Sequence, residues 1–270
     1  MKGQGFSQHL LIDAEGKVTN DYVLSNGETI YGSFDVITIL EDFITLHPDF
    51  SYKGARGISA ITGYNGVLGY RTSDFWYTEG CSYYQKTEAN DRYFKTEILS
   101  GYNENIEADK KTATLVADAI KAMGWRFSSH TWGHKRLGEI PMETMVWDSD
   151  MWEREVRPII GDTDILIFPY GNDFGQTVGW KNYEYEGPNM RYRTMKSYGF
   201  NYFLNVDGSQ YFMQRSDGYF RQGRRNLDGS RLWEAVNAYN GVKGYKNRTA
   251  DLFDDPTKII DPMRPELKKK

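Results

Sequence analysis

Two histidines four residues apart, His130 and His134, stand in the stretch Ser128-Ser129-His130-Thr131-Trp132-Gly133-His134, and the whole chain has only four. Imidazoles at that spacing can ligate one metal from a single helical turn. A metalloprotease helix needs Glu directly after the first histidine. Thr131 stands there instead, and Gly133 weakens a helix between the pair. The bare spacing also occurs in structural and surface pairs, so it does not decide the chemistry by itself. The surrounding sequence reads as a strand end. Gly124 stops a helix-like segment, Trp125-Arg126-Phe127-Ser128 alternates large and small, and polar residues follow. Carboxyl ends of strands are where α/β folds place their chemistry.

The string His130-Thr131-Trp132-Gly133-His134 resembles the second motif of the polysaccharide deacetylases, carbohydrate esterase family 4 (the NodB-homology domain). That motif is His-Ser/Thr-x-x-His, just after a strand. Ile165-Leu166-Ile167-Phe168-Pro169-Tyr170-Gly171 resembles the same family's third motif, Arg-x-Pro-Phe/Tyr, at the end of the next strand. The order and separation of the two motifs fit as well, and the similarity runs over most of the chain. The resemblance implies a metal-dependent, deacetylase-like protein that hydrolyses N- or O-acetyl groups of acetylated polysaccharide or peptidoglycan, outside the cell or in its envelope. It implies that His130 and His134 hold a divalent metal, with zinc the first choice. It also implies that the backbone N–H of Tyr170 contributes to an oxyanion site, with both imidazoles and Tyr170 on one cleft.

Hydrolysis of an acetyl group needs a polarising metal, an activated water, oxyanion donors and an acid for the leaving group. In the family an Asp-Asp pair ending an early strand supplies a metal ligand and the base, and a late His supplies the acid. Here the only Asp-Asp pair is Asp254-Asp255, Ile167 stands where the third motif has Arg, and no His follows His134. Asp207, ending a neighbouring strand, can in principle supply a carboxylate, although hydrogen bonding at its own strand end is the plainer role. Two histidines alone make a weak metal site. Two expectations follow. Either the chain starts just after a strand carrying the missing motif, so that metal is weakly bound or absent and the chain is inactive as it stands, or it is a catalytically inactive carbohydrate-binding barrel.

The elements that must position these residues alternate. Residues 1–32 are polar and turn-rich, with short strands at Leu10-Leu11-Ile12 and Tyr22-Val23-Leu24. A helix capped by Ser33, with Asp35 in its first turn, ends at His47-Pro48. A small-residue strand spans 57–63, and residues 72–104 form a long aromatic segment of the kind that walls a cleft. Apolar spacing predicts helices over 105–123, 141–160 and 191–198, with strands at 125–130, 164–168 and 200–207. The 141–160 helix carries so many charges that one face is expected to be solvated. Three arginines in five residues, Arg221, Arg224 and Arg225, either bind an anionic group or are solvated at a strand edge, and the second is the expectation. Alternation with short connections implies parallel strands in an α/β fold, best met by a (β/α) barrel. The resemblance implies a distorted or incomplete seven-stranded barrel, in a single domain over 1–270 that lacks its first strand, with a mobile tail over 261–270.

Composition narrows the partners. A net charge of -4 argues against nucleic acid. No apolar run reaches the roughly 18 residues that span a membrane, and the N-terminus shows no signal-peptide pattern. The single cysteine excludes an internal disulfide framework. Aromatic residues make up 15% of the chain, enough to serve both a core and stacking platforms for sugar rings.

Overall fold

The computed structural model describes residues 7–64, 66–74, 103–175, 189–206 and 213–259. It opens with an antiparallel meander, β1 (Leu10–Ile12), β2 (Val18–Val23) and β3 (Thr29–Gly32), in the order β1-β2-β3. The turn after β2 passes through Gly27 at φ 87°, a conformation that costs glycine nothing. Helix α1 (Val36–Leu46) is capped by Asp35 rather than Ser33: the carboxylate accepts the N–H of Ile37 at 2.9 Å, and Thr38 completes a capping box. Ser33 donates its hydroxyl to Asp42 instead. A carboxylate at the positive end of the helix is the stronger cap. His47 occupies the C-cap and Pro48 follows it.

The second sheet contains β4 (Ile58–Ile61), β5 (Arg126–Ser129), β6 (Ile165–Ile167), β7 (Tyr202–Val206), β8 (Met213–Arg215) and β9 (Phe220–Arg224). Their order is β4-β5-β6-β7-β9-β8; all pairings are parallel except β8 with β9. The fold is therefore mixed α/β. Among the described residues the sheet has six strands and is open, with β4 and β8 at its edges, so no closed barrel is formed by them.

Helices follow the parallel strands. In α2 (Ile106–Ala122), Ala113, Val116, Ala117 and Ile120 form the buried stripe at spacings of three and four, and Gly124 at φ 99° turns the chain toward β5. The segment expected as one helix over 141–160 is two, α3 (Met142–Glu155) and α4 (Arg157–Ile160). Pro158 explains the break, because it has no N–H for the Arg154 carbonyl and its ring would collide with that carbonyl. Among the described residues, helices α5 (Met190–Ser197) and α6 (Gly229–Tyr239) complete the set.

Strand β6 is buried along its whole length, as Ile165, Leu166 and Ile167, which is what a parallel strand covered on both faces requires. Trp132, Trp152, Phe168, Phe203 and Met195 fill the core beside it. Among the described residues no helix is long and apolar enough to cross a membrane. Residues 75–102 of the expected cleft-wall segment, and the tail over 261–270, lie outside the described residues.

Candidate active site at the carboxyl ends of β5 and β6

His130 directly follows β5. Its N–H donates to the Ile61 carbonyl of β4 at 2.8 Å, continuing the ladder. Its Nδ1 lies 2.6 Å from the carbonyl oxygen of Ile167, the last residue of β6. A carbonyl only accepts, so Nδ1 carries the proton and Nε2 keeps its lone pair. Burial pushes the His130 pKa down to about 4, and the charges of His134 and Arg224 act in the same direction, against the hydrogen bond to Ile167. The ring is neutral at pH 7, which is the form that ligates metals.

The His134 ring stands 4.9 Å from that of His130, edge to face. The Tyr170 ring lies 4.5 Å from that of His134, and the Arg136 guanidinium is 4.5 Å above the Tyr170 ring. Tyr170 sits in the tight turn Pro169–Gly171 that follows β6. The structure thus brings together His130, His134 and Tyr170. Asp207 lies outside the described residues. Asp254-Asp255 belongs to a C-terminal turn, where Asp255 accepts the Thr257 N–H at 3.0 Å.

Three non-glycine residues here adopt left-handed backbone: Thr131 at φ 60°, His134 at φ 53° and Tyr170 at φ 57°. Each costs about 1–2 kcal/mol, and for the β-branched Thr131 the conformation is unusual. Surrounding bonds must hold them there. Asp148 of α3 accepts the N–H of Trp132 at 2.9 Å and of Gly133 at 2.7 Å. Thr131 Oγ1 accepts the Lys135 N–H at 2.8 Å. The Trp132 indole donates to Glu155 at 2.7 Å, and Ser73 donates to the same oxygen. Gly133 is required for this clamp, since a Cβ there would lie 2.8 Å from the Asp148 carboxylate.

One face of α3 is solvated as expected, with Glu143, Asp150 and Arg154 exposed, but two of its acids do not lie on that face. Asp148 and Glu155 are 1% and 4% exposed. They fall on the stripe of Met145 and Trp152, and an acid on an apolar stripe must find donors inside. That placement was the signal in the sequence. Burial raises the Asp148 pKa to about 6, opposed by the Gly133 and Trp132 N–H groups and the Lys135 charge, so it is ionised at pH 7.

The arginine expectation is corrected too. Strand β9 lies between β7 and β8, so its side chains are not at an edge. Arg221 is 1% exposed and pairs with Asp173, with Nε at 2.6 Å, while Asn205 donates to the same carboxylate at 3.2 Å. Arg225 pairs with Asp251 and the Arg248 carbonyl. Arg224 reaches back across β7 to the carbonyl of Phe168, 3.4 Å away, next to the carbonyl that holds His130.

Two imidazoles, that of His130 neutral, are a sound start for a divalent metal, and the Ile167 carbonyl is the kind of outer partner that orients a ligating histidine. A catalytic zinc takes three protein ligands. Among the described residues no group of three or more His, Cys, Asp or Glu side chains converges on one metal position. Those residues account for part of a donor set, not for water activation. No family model, curated protein or solved structure matches the chain.

Proposed function

We propose that the chain is a polysaccharide-deacetylase-like domain whose His130–His134 pair binds a divalent metal, zinc first, facing the acetyl group of a cell-envelope glycan. The observation that carries this reading is the orientation of His130. Its Nδ1 is committed to Ile167, so Nε2 is presented as a neutral donor beside His134 and Tyr170. The Tyr170 backbone N–H is the proposed oxyanion donor. Strand order also supports it. From β4 to β7 and on to β9 the parallel strands rise in chain order with no reversal, whereas a doubly wound sheet reverses at its switch point. Right-handed crossovers in that order wind in one sense, as barrel strands do.

Glycan binding without hydrolysis is the second reading. It is favoured by the donor set, because among the described residues no carboxylate joins the imidazoles to serve as third ligand or base. Tyr170 is 54% exposed, which leaves an aromatic residue at the surface of the site where a sugar could pack.

Calorimetry with zinc, together with acetate release from chitin oligomers and peptidoglycan, tests both. The expected result is metal binding that His130→Ala and His134→Ala each abolish, with little or no acetate released even with added zinc or cobalt. Metal binding unchanged in both variants would overturn the site. Turnover dependent on both histidines would reject the binding-only reading and place a carboxylate, Asp207 first among candidates, in the catalytic role.

A further inference from the structure

Three arginines cluster on and just after β9, and two of them have carboxylates: Asp173 for Arg221 and Asp251 for Arg225. Arg224 has none among the described residues. Its contact is one Nη to the Phe168 carbonyl at 3.4 Å, and its Nε is buried with no acceptor. Desolvation alone moves its pKa, downward, with no carboxylate acting against it. A desolvated guanidinium without a counter-charge is costly, and a water can satisfy one N–H without neutralising the charge. Its position is not arbitrary. Arg224 ends β9 opposite Val206, and it converges with His130 on the end of β6, Arg224 at the Phe168 carbonyl and His130 at that of Ile167. The paired Nη atoms of a guanidinium present two parallel N–H groups that match the two oxygens of a carboxylate or phosphate.

We propose that Arg224 is the anion-binding residue of the histidine site, taking an oxyanion, carboxylate or phosphate, carried by the ligand that binds beside His130. The ligand of this site is then an acidic glycan rather than a neutral one. This rests on the reading of the β5–β6 strand ends as the ligand site, but not on hydrolysis or metal binding.

The test is calorimetry in chelator with glucuronate, inorganic phosphate and neutral N-acetylglucosamine, on the full chain and on Arg224→Met and Arg224→Lys. The proposal expects at least one anionic probe to bind tenfold or more tightly than the neutral sugar. Arg224→Met should lose at least tenfold for that probe and Arg224→Lys less. Whether glucuronate or phosphate wins identifies the oxyanion. A second readout separates binding from structural support. In anion-free buffer Arg224→Met should unfold at the same temperature as the parent or higher, by about 2–4 °C, because it removes an uncompensated charge. Equal binding of neutral and anionic probes, unchanged affinity in Arg224→Met, or a lower unfolding temperature for that variant would each overturn the proposal. Anion binding that survives while zinc binding fails would count against the deacetylase reading alone.

Discussion

The Asp148 carboxylate receives the backbone N–H of Gly133 at 2.7 Å, one residue before His134, and so fixes the loop from the helix behind it. Its other oxygen receives Trp132. Both oxygens are acceptors for the main chain. Asp148→Asn must turn an NH2 toward one of these donors. It is expected to cost about 1–3 kcal/mol, read from urea midpoints. A variant as stable as the parent would show that the clamp is dispensable.

Acid stability should carry the signature of His130. Its pKa falls from 6.5 in the unfolded chain to about 4 when folded, so the unfolded state binds more protons between those values. The stabilisation is complete above pH 6.5 and is lost as pH falls toward 4, by at most about 3 kcal/mol before allowance for residual solvent access. Asp148 runs the other way. Its stabilisation is complete below pH 3.8 and is lost as pH rises through about 6. Comparing the parent with His130→Gln in EDTA isolates the first effect. The variant should lose less stability between pH 7 and 4.5, and identical slopes would refute the assignment.

The buried Arg221–Asp173 pair ties the loop after β6 to β9, with side chains 1% and 3% exposed. Asp173→Ala should cost about 3–5 kcal/mol, because Arg221 loses its carboxylate while still buried. Replacing both, Arg221→Met with Asp173→Leu, should recover most of that loss. Thermal unfolding of the three proteins decides it. A double variant no better than the single would show that the pair contributes more than charge compensation.

Gly63 packs directly under the Trp132 indole and Val156. Gly63→Ala should therefore destabilise by about 1–3 kcal/mol and shift the tryptophan emission. A neutral substitution would mean that the indole can move aside.

Which features the sequence revealed follows from how far each signal reaches. The meeting of His130, His134 and Tyr170 was legible because each motif follows a strand-like segment, alternating in one case and apolar in the other, and parallel neighbours put those ends on one side. Helix α2 was legible from Val116 and Ile120, whose spacing is local. The clamp of Asp148 on Trp132 and Gly133 was not, since it joins residues 15 and 16 positions apart that meet only after α3 folds back. The arginines misled for a similar reason. β8 precedes β9 in the chain but lies outside it in the sheet, and that inversion buries Arg221. Pro158 marked the break between α3 and α4 in plain view, and the heavy charge of the segment obscured the two helices.

The unreversed strand order has a consequence for synthesis. As the chain leaves the ribosome, β5, β6 and β7 each emerge with their pairing partner already present, so the sheet can grow vectorially from β4, one edge at a time. Among the described strands only β8 breaks the sequence. It must wait for β9, which inserts beside β7 and carries β8 outward as the antiparallel half of a hairpin. Until then β7 is an open edge, and Arg224, the last residue of β9, arrives only when that edge closes.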